Sequence, residues 1–382
     1  MVDSKDKNNC CGCRACEHIC PKNAIQMNED IKGFKYPKID HSLCNKCGLC
    51  DTICAFNNNY RNHGDNPTVY AVKNKDENIR ATSTSGGMFV AISDEIIKNG
   101  GVVYGVNYGE KLYVCHQRAE TKEQRDQFKG SKYIQSDLGD TFLKVKQDLE
   151  DDRMVLFTGT PCQVASLNNF LKKDFENLLT VDIICHGTPS NKIWREYLDI
   201  IEKINKIEII YVNFRDKSIG WHQPKVKIES LNKSKKEIIG EKSFFQLFVK
   251  NYILMPACYN CYFANFKRPG DITIGDFWGI ERTMSEFDDN KGVSLVMVNS
   301  KKGNLFIDKI KDNIEMQISS KENCMHGTLQ CASPKNKDTD KLWNDYEKYG
   351  LRYIIFKYTD YSNLRTFIKK VINKIKSLLN LN

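Results

Sequence analysis

The sequence lacks the long apolar runs of a membrane protein, since no stretch of about 18 consecutive apolar residues occurs in its 382 positions. Its first residues are mostly polar or charged and contain no apolar signal region. We therefore expect a cytoplasmic protein. Thiols stay reduced in that compartment, so regularly spaced cysteines indicate metal ligands rather than disulfides.

Patterns typical of nucleic-acid binding are also absent, because no RNP, zinc-finger or helix-turn-helix signature occurs. The net charge of +9 is spread along the chain and suits an acidic redox partner, an anionic cofactor or a membrane surface. Hydrophobic residues make up 41% of the sequence, which allows a packed core and argues against disorder. The length indicates one small domain and one or two larger ones.

Cysteine, in contrast, is abundant, and eight of the 16 cysteines fall into two copies of one spacing. The copies read Cys-x2-Cys-x2-Cys-x3-Cys and begin at Cys10 and at Cys44. In such a motif three thiolates bind one 4Fe-4S cluster and the fourth reaches the other cluster. Two zinc sites are the alternative. Cys11 is left without a role, because the spacing is already filled. We predict one cluster held by Cys10, Cys13, Cys16 and Cys54, and a second held by Cys44, Cys47, Cys50 and Cys20.

A polar, turn-rich segment at residues 57–67 follows the doubled motif and marks a domain boundary. Beyond it, short apolar strands alternate with helices, which is typical of an α/β domain. We expect an α+β protein with a ferredoxin-like domain at residues 1–60, an α/β domain at residues 67–338 and a C-terminal extension at residues 339–382. Strands are predicted at residues 68–73, 102–106, 154–157 and 180–185, and helices at residues 85–98, 138–149, 161–171 and from 189 onward.

Four later cysteines occupy positions that suggest a third metal site. Cys162 lies at a predicted helix start, Cys185 ends the next strand, and Cys258 and Cys261 form a Cys-x2-Cys loop. Neighbouring strands of a parallel sheet end on the same side, so Cys162 and Cys185 are expected to lie close together. A third 4Fe-4S cluster is our first interpretation, buried apolar cysteines the second and a zinc site the third. A further rival is a Cys162 thiol nucleophile with His186 as its base, although no Asn or Asp partner is evident.

Two segments are suited to binding a phosphate-bearing cofactor. Clusters carry single electrons, whereas most metabolic substrates exchange two, and a flavin joins the two modes. Residues 81–88 gather hydroxyls and glycine N–H groups at a helix start, where the helix dipole favours phosphate. Residues 129–133 add cations and an aromatic ring. An ordinary Ser-Gly helix cap and solvated lysines are the simpler interpretations.

Taken together, the motifs resemble the coenzyme F420 hydrogenase/dehydrogenase beta-subunit family, in its version with a fused ferredoxin domain. Seven blocks in order carry the resemblance and, with the ferredoxin part, cover roughly residues 8–330. The blocks are Ser-Thr-Ser-Gly-Gly (83–87), Gly-Ser-Lys-Tyr-Ile-Gln-Ser (130–136), Phe-Thr-Gly-Thr-Pro-Cys-Gln (157–163), Asp-Ile-Ile-Cys-His-Gly (182–187), Phe-Arg-Asp-Lys-Ser-Ile-Gly-Trp (214–221), Cys-Tyr-Asn-Cys (258–261) and Asp-Ile-Thr-Ile-Gly-Asp-Phe-Trp-Gly (271–279).

The resemblance implies FAD in the α/β domain, with an iron-sulfur cluster near it. Trp278 would stack beside the flavin, and His222 and Asp276 are candidates for proton handling near the substrate. By position, the family assigns flavin contacts to Ser85, Gly86, Gly87, Lys132 and Tyr133, and the cluster ligands to Cys162, Cys185, Cys258 and Cys261.

We therefore predict an FAD- and iron-sulfur-dependent oxidoreductase that exchanges hydride with a deazaflavin coenzyme or another organic substrate. A redox partner protein or enzyme subunit would exchange electrons with the clusters. The Lys- and Asn-rich composition resembles family members associated with cell-surface polysaccharide synthesis. The alternatives are an electron-carrier subunit without a substrate site and the Cys162/His186 thiol enzyme with an appended redox domain.

The C-terminal residues 363–379 place apolar side chains at helical spacing, opposite a face of lysines and arginine without acids. This pattern predicts a basic amphipathic helix. Three interpretations stay open: the helix packs on the protein body, lies on the inner face of an anionic membrane, or docks a partner helix.

Overall fold

The computed structural model describes residue 2 and residues 6–57, 60–231, 237–239, 242–324 and 326–360. The strands are β1 (Ile25–Glu29), β2 (Lys35–Ile39), β3 (Thr68–Asn74), β4 (Val102–Tyr108), β5 (Val114–Ala119), β6 (Val155–Gly159), β7 (Leu178–Ile183), β8 (Ile209–Asp216), β9 (Lys225–Ser230), β10 (Glu237–Ile239), β11 (Ile272–Asp276), β12 (Ser294–Val298) and β13 (Ile314–Ser319). The α-helices are α1 (Ala15–His18), α2 (Leu49–Thr52), α3 (Glu77–Thr82), α4 (Met88–Lys98), α5 (Lys122–Asp126), α6 (Thr141–Glu150), α7 (Pro161–Leu171), α8 (Asn191–Asn205), α9 (Ser243–Val249), α10 (Ile280–Thr283), α11 (Lys301–Ile310) and α12 (Thr339–Tyr358).

The N-terminal domain repeats one local fold around its two cysteine motifs. The short helices α1 and α2 each begin one residue before the third cysteine of their repeat. Arg14 and Gly48, directly before these helices, both have left-handed backbones, with φ values of 64° and 75°. Gly12 and Lys46, two residues earlier, are left-handed as well. The matched backbone turns follow from the repeated spacing and curl each loop around its cysteines.

An eight-stranded mixed sheet forms the centre of the larger domain. Its strand order is β13-β3-β12-β11-β7-β6-β4-β5. The inner strands β4, β6, β7 and β11 run parallel, and the remaining neighbours pair antiparallel. The parallel strands are mostly apolar and buried, as expected for a sheet that helices cover on both faces.

Helices pack on both faces of this sheet. One face holds a core formed with α4 and α11, which includes Met88, Ile92 and Phe306. The other holds a core formed with α6 and α7, which includes Phe142 and Leu167. The larger domain is therefore a three-layer α/β structure.

A second, smaller sheet of β8, β9 and β10 is antiparallel and packs with α8, α9 and α12. Its core is rich in aromatic rings, among them Trp194, Phe214 and Phe244, whose neighbouring centroids lie 5.0 to 6.2 Å apart. Trp343 and Ile354 of α12 belong to the same core. The beginning of the C-terminal extension is thus part of the folded body.

Polar and apolar contacts join the N-terminal domain to the larger one. Asp137 accepts hydrogen bonds from Arg14 Nε at 2.6 Å and from Lys35 Nζ at 2.5 Å. Burial alone would raise the pKa of Asp137, but these two cations hold it well below its usual range. The Phe56 and Phe263 rings add an edge-to-face contact at 5.6 Å. The interface between the two domains is thus partly buried, and its charged side chains form ion pairs.

The predicted fold class is confirmed, and most predicted elements appear within a few residues of their expected ends. The clearest difference is β7, which ends at Ile183, so that Cys185 lies beyond the strand rather than at its last position. The helix expected from residue 138 begins at Thr141. The predicted helix at residues 363–379 lies outside the described residues. No helix in the described ranges combines the length and apolarity that crossing a membrane requires.

Candidate functional site

The first predicted set of N-terminal cysteines is brought together by the fold. Burial raises the pKa of the Cys16 thiol, and the nearby Cys13, Cys10 and Cys54, together with Cys50 of the other set, raise it further. Cys54 comes from the second repeat, so the fourth residue of one motif crosses to the other set, as a two-cluster domain requires. These four residues form what we call the inner set.

The outer set consists of Cys20, Cys44, Cys47 and Cys50, and it lies farther from the α/β domain. Three of its members pack around one small apolar cluster, whereas Cys47 is exposed. Backbone N–H groups of Ala24 and Lys46 donate to Cys20 Sγ and Cys44 Sγ, each at 3.4 Å. Hydrogen bonds of this kind stabilise thiolates that bind iron.

The four later cysteines line one cavity at the edge of the central sheet. Cys162 lies in the first turn of α7, directly after β6, and Cys185 follows the neighbouring parallel strand β7. Cys258 and Cys261 come from a 3-10 helix at Pro256–Asn260 and the residue after it. The predicted convergence of strand ends is what brings Cys162 and Cys185 together. We call these four residues the third set.

The thiols of the third set are buried and hold their protons more tightly than free thiols do. Burial, together with the neighbouring cysteines, raises the pKa of Cys258 to about 12 and that of Cys261 to about 11. The same causes raise the pKa of Cys185 well above its ordinary value. If deprotonated, these four thiols would need a metal cation to balance their charge. The Thr188 N–H donates to Cys258 Sγ at 3.4 Å, which again suits a metal-bound thiolate.

A buried ion pair holds the loop that carries Cys261. Arg268 donates to Asp182 Oδ1 from Nε at 3.0 Å and from Nη2 at 2.6 Å. Its remaining N–H groups donate to the carbonyls of Phe263 and Ile183 at 2.9 and 3.0 Å. Arg268 is 1% exposed and Asp182 is fully buried. The pair therefore ties the segment after Cys261 to the end of β7.

Sequence reasoning missed a fifth cysteine at this site. Cys11 lines the same cavity as the third set and packs in one apolar cluster with Cys162 and Cys261. The spacing of the N-terminal motif gives no role to Cys11. Only the docking of the two domains reveals its position.

The alternative of a Cys162 thiol nucleophile needs a His186 base that is oriented by an amide or carboxylate and that contacts the thiol. His186 Nε2 lies 2.6 Å from Asn251 Oδ1, so the orienting amide that the sequence did not reveal is present. Burial lowers the pKa of His186, which favours its neutral form. The described contacts of Cys162, however, are with Thr160 Oγ1 at 3.2 Å and with Cys11, rather than with His186. The geometry therefore favours Cys162 as a member of the third set.

A separate cleft of about 650 Å³ opens between residues 77–84, Gly130, the end of β8 and residues 290–291. Arg215 lines it and is only 8% exposed. Its Nη1 donates to Asp276 Oδ2 at 2.9 Å and to the Tyr133 hydroxyl at 3.3 Å. Among the described residues, nothing accepts a hydrogen bond from its Nε or Nη2. Buried donors without partners are costly, so Arg215 is a candidate for binding an anionic ligand.

Lys217 also lines this cleft, and its ammonium is held in place by the carbonyls of Arg80, Lys291 and Ser85 at 2.6, 2.8 and 3.3 Å. Burial lowers its pKa to about 8. Sequence reasoning quoted the block at residues 214–221 but assigned no role to Arg215 or Lys217. The available signal was the Arg-Asp-Lys sequence at a strand end.

None of the five predicted flavin contacts lines this cleft, although they follow residues that do, and several are engaged with the protein itself. Ser85 Oγ donates to the Val293 carbonyl at 2.6 Å. Gly86 is required by close packing, because a Cβ there would lie 2.3 Å from the Val72 carbonyl oxygen. The adjacent Thr84 hydroxyl accepts from the Ser131 N–H at 3.0 Å, which joins the two predicted segments.

The remaining predicted flavin contacts differ in their surroundings. Gly87 is left-handed, with φ 84°, and precedes α4. Lys132 donates to the carbonyls of Gln127 and Lys129 at 3.0 and 2.8 Å, and burial lowers its pKa to about 7. The Tyr133 hydroxyl accepts from Arg215 at the cleft wall. Of the five predicted contacts, Tyr133 thus has the most direct link to the unpartnered arginine donors.

The predicted aromatic and proton-handling residues fall into two groups beside the cleft. Trp278 stacks on Trp221 with a centroid distance of 5.0 Å, and the Arg215 guanidinium lies 4.7 Å from the Trp278 ring. Asp276 accepts from Arg215 and, at 3.0 Å, from Trp221 Nε1. His222 Nε2 lies 2.7 Å from Asp288 Oδ2 and within 4.8 Å of a Glu281 carboxylate oxygen. Asp276 therefore positions Arg215, whereas His222 belongs to a separate polar group.

Comparisons with known proteins agree with both parts of the chain. Residues 152–323 match the family model for the C terminus of the coenzyme F420 hydrogenase/dehydrogenase beta subunit, and residues 9–58 match the 4Fe-4S dicluster domain. Ferredoxin-type protein NapF of Haemophilus influenzae is 38% identical over 45 residues, which are 12% of this chain. The match spans 26% of that curated relative.

Among solved structures, similarity is found to a chain of the F420-reducing NiFe hydrogenase complex from Methanosarcina barkeri, in a study of xenon derivatization. The TM-score is 0.46 and the sequence identity 16%, and the alignment covers 75% of this chain and 94% of that chain.

Proposed function

We propose that this chain, a member of the coenzyme F420 hydrogenase/dehydrogenase beta-subunit family that also carries a 4Fe-4S dicluster domain, is an FAD-dependent oxidoreductase. Iron-sulfur electron transfer follows from the two family matches. The flavin, a third cluster and the exchange of hydride with a deazaflavin coenzyme or another organic substrate are the proposed extension. When bound, the clusters supply one-electron steps and FAD couples them to two-electron chemistry.

The observation that carries this proposal is the buried guanidinium of Arg215. Two of its nitrogen donors have no described partner, while Asp276 fixes the third. A phosphate oxygen of FAD is the type of acceptor that such a fork binds best. Lys217 adds a second cation at the cleft wall. The Trp278 ring stacks on Trp221 and contacts the Arg215 guanidinium, which helps to hold that guanidinium at the cleft.

Aromatic contacts connect this cleft to the third set. The Tyr133 and Phe248 ring centroids lie 5.3 Å apart, and those of Phe248 and His186 lie 5.1 Å apart. His186 directly follows Cys185 in the sequence. The Tyr133, Phe248 and His186 rings therefore form a continuous series of contacts from the partner of Arg215 to the residue after Cys185. This proximity supports electron exchange between a cluster there and a flavin in the cleft.

The positions of the three cysteine sets also support an order in which electrons pass between them. Cys47 of the outer set is exposed, whereas Cys54 of the inner set packs with Cys162 and Cys261 of the third set in one apolar cluster. We propose that a redox partner protein contacts the exposed side near Cys47. Electrons would then pass between the outer set, the inner set, the third set and the flavin.

The flavin proposal is tested by replacing Arg215. The Arg215→Ala variant should purify with little FAD but with the iron content of the unmodified chain, and Arg215→Lys should retain an intermediate amount of FAD. Arg282→Ala is the matched control, because that arginine is 73% exposed and pairs at the surface with Glu281. Anaerobic purification followed by flavin fluorescence and iron analysis provides the measurement. Full FAD occupancy in the Arg215→Ala variant would overturn the assignment of the cleft.

A further inference from the structure

Three side chains of the kinds that bind divalent metal ions converge beside the cleft, namely His222, Glu281 and Asp288. An imidazole nitrogen and one oxygen of each carboxylate all lie within 4.8 Å of one another. Within this group, His222 Nε2 and Asp288 Oδ2 are 2.7 Å apart. Two ligands that bind one ion at about 2.1 Å lie about 3 to 3.5 Å from each other. Small side-chain movements would therefore bring all three atoms onto one ion.

The segments that carry these side chains are fixed by the core of the larger domain. The His222 N–H donates to Asn290 Oδ1 at 3.0 Å, and the Trp221 N–H donates to the Asn290 carbonyl at 2.9 Å. Trp221 and Ile280 are fully buried in one apolar cluster, and Glu281 directly follows Ile280. The backbone thus presents the group on a rigid support, as a metal site requires.

The charge around Asp288 also favours a bound cation. Its side chain is only 10% exposed, and within the described ranges its sole ion-pair partner is His222, an imidazole that is charged only when protonated. The other carboxylate oxygen accepts from the Asn290 N–H at 3.0 Å. Glu281 is more open, with its side chain 42% exposed and paired with Arg282 Nε at 3.3 Å. A mostly buried carboxylate without a permanently charged partner is stabilised by a cation beside it.

We propose that His222, Glu281 and Asp288 form a binding site for one divalent transition-metal ion. A neutral imidazole and two carboxylates carry a charge that matches such an ion, and this ligand set suits Mn²⁺, Fe²⁺ or Zn²⁺. Gly220 and Asn290 line the cleft, so the ion would lie at the cleft rim and join the segment between β8 and β9 to α10. The site goes beyond the proposed flavin chemistry and depends on neither the flavin nor a cluster.

The test is equilibrium dialysis of the full, cluster-loaded chain against Mn²⁺, followed by elemental analysis of manganese per chain. Manganese is the probe because thiolates prefer softer metals, so the cysteine sets compete poorly for it. We expect about one tightly bound Mn²⁺ per chain. His222→Gln and Glu281→Gln should each weaken its binding at least tenfold, since changes outside the ligand shell alone cost about 10- to 100-fold. Glu286→Gln is the matched control, because Glu286 is an exposed acid of the same segment that lies outside the group.

Glu281→Gln is the decisive variant, because its partly exposed side chain can change without disturbing the core. Its iron content should equal that of the unmodified chain. Mn²⁺ should raise the melting temperature of the unmodified chain and of Glu286→Gln, but not that of Glu281→Gln. Failure of the unmodified chain to bind Mn²⁺ at millimolar concentration would overturn the proposal. Equal binding by Glu281→Gln and the unmodified chain would overturn it as well, since the ion would then be held elsewhere.

Discussion

Replacing Arg268 by alanine should strongly destabilise the α/β domain and disturb the third set. The change leaves the Asp182 carboxylate fully buried with only Gly270 N–H and Thr273 Oγ1 as described donors, at 2.9 and 2.8 Å. It also leaves the Phe263 and Ile183 carbonyls without their guanidinium donors. Removing one partner of a buried ion pair costs about 3–5 kcal/mol, which is a large fraction of the stability of a typical domain.

The free energy of unfolding should be measured anaerobically by urea titration with tryptophan fluorescence, since Trp194 and Trp221 are buried in the larger domain. Arg282→Ala serves as the control, because its arginine is 73% exposed and should change stability by less than about 0.5 kcal/mol. The double variant Arg268→Ala, Asp182→Asn should lose less than the sum of its single variants, since the two residues are coupled. A single Arg268→Ala variant as stable as Arg282→Ala would refute the structural role of this pair.

Further predictions concern the third set and the pH dependence of stability. Cys258→Ser should remove about four irons per chain, whereas Cys115→Ser should remove none; unchanged iron in the first variant would leave Cys258 without a metal role. Buried His116, whose ring nitrogens lie 2.8 Å from Ser136 Oγ and 3.0 Å from the Thr158 carbonyl oxygen, has its pKa lowered by burial to about 4. The unfolded chain binds this proton more tightly than the folded chain does. The free energy of unfolding should therefore keep its full value above about pH 6.5 and fall as the pH drops toward 4, by at most about 3 kcal/mol. Urea titrations at pH 7 and pH 5 should show this loss, and a His116→Gln variant with the same pH dependence would argue against it.

Local patterns predicted the parts of the site that depend on nearby residues. Cysteine spacing predicted the inner and outer sets because three cysteines of each loop lie three positions apart and the fourth is expected to reach the other set. The ends of β6 and β7 placed Cys162 and Cys185 together because neighbouring parallel strands share a direction. The Cys-x2-Cys loop then completed the third set.

Residues whose roles depend on distant contacts were not predicted. Arg215 lines the cleft through its pairing with Asp276, which lies 61 positions later in the chain. Cys11 meets Cys162 only because the N-terminal domain docks through Asp137, which pairs with Arg14 across 123 positions. Neither contact leaves a periodic or spaced signal in the sequence. The sequence also set residues 339–382 apart from the α/β domain. In the structure, α12 at the start of this extension packs into the aromatic core with α8 and α9.

The central claim is that three cysteine sets and a flavin cleft act together. Its most direct test is the content of iron, acid-labile sulfide and flavin per chain after anaerobic purification. Three 4Fe-4S clusters predict about twelve irons and about twelve sulfides, together with about one FAD. About eight irons without flavin would contradict the account and leave a two-cluster electron carrier.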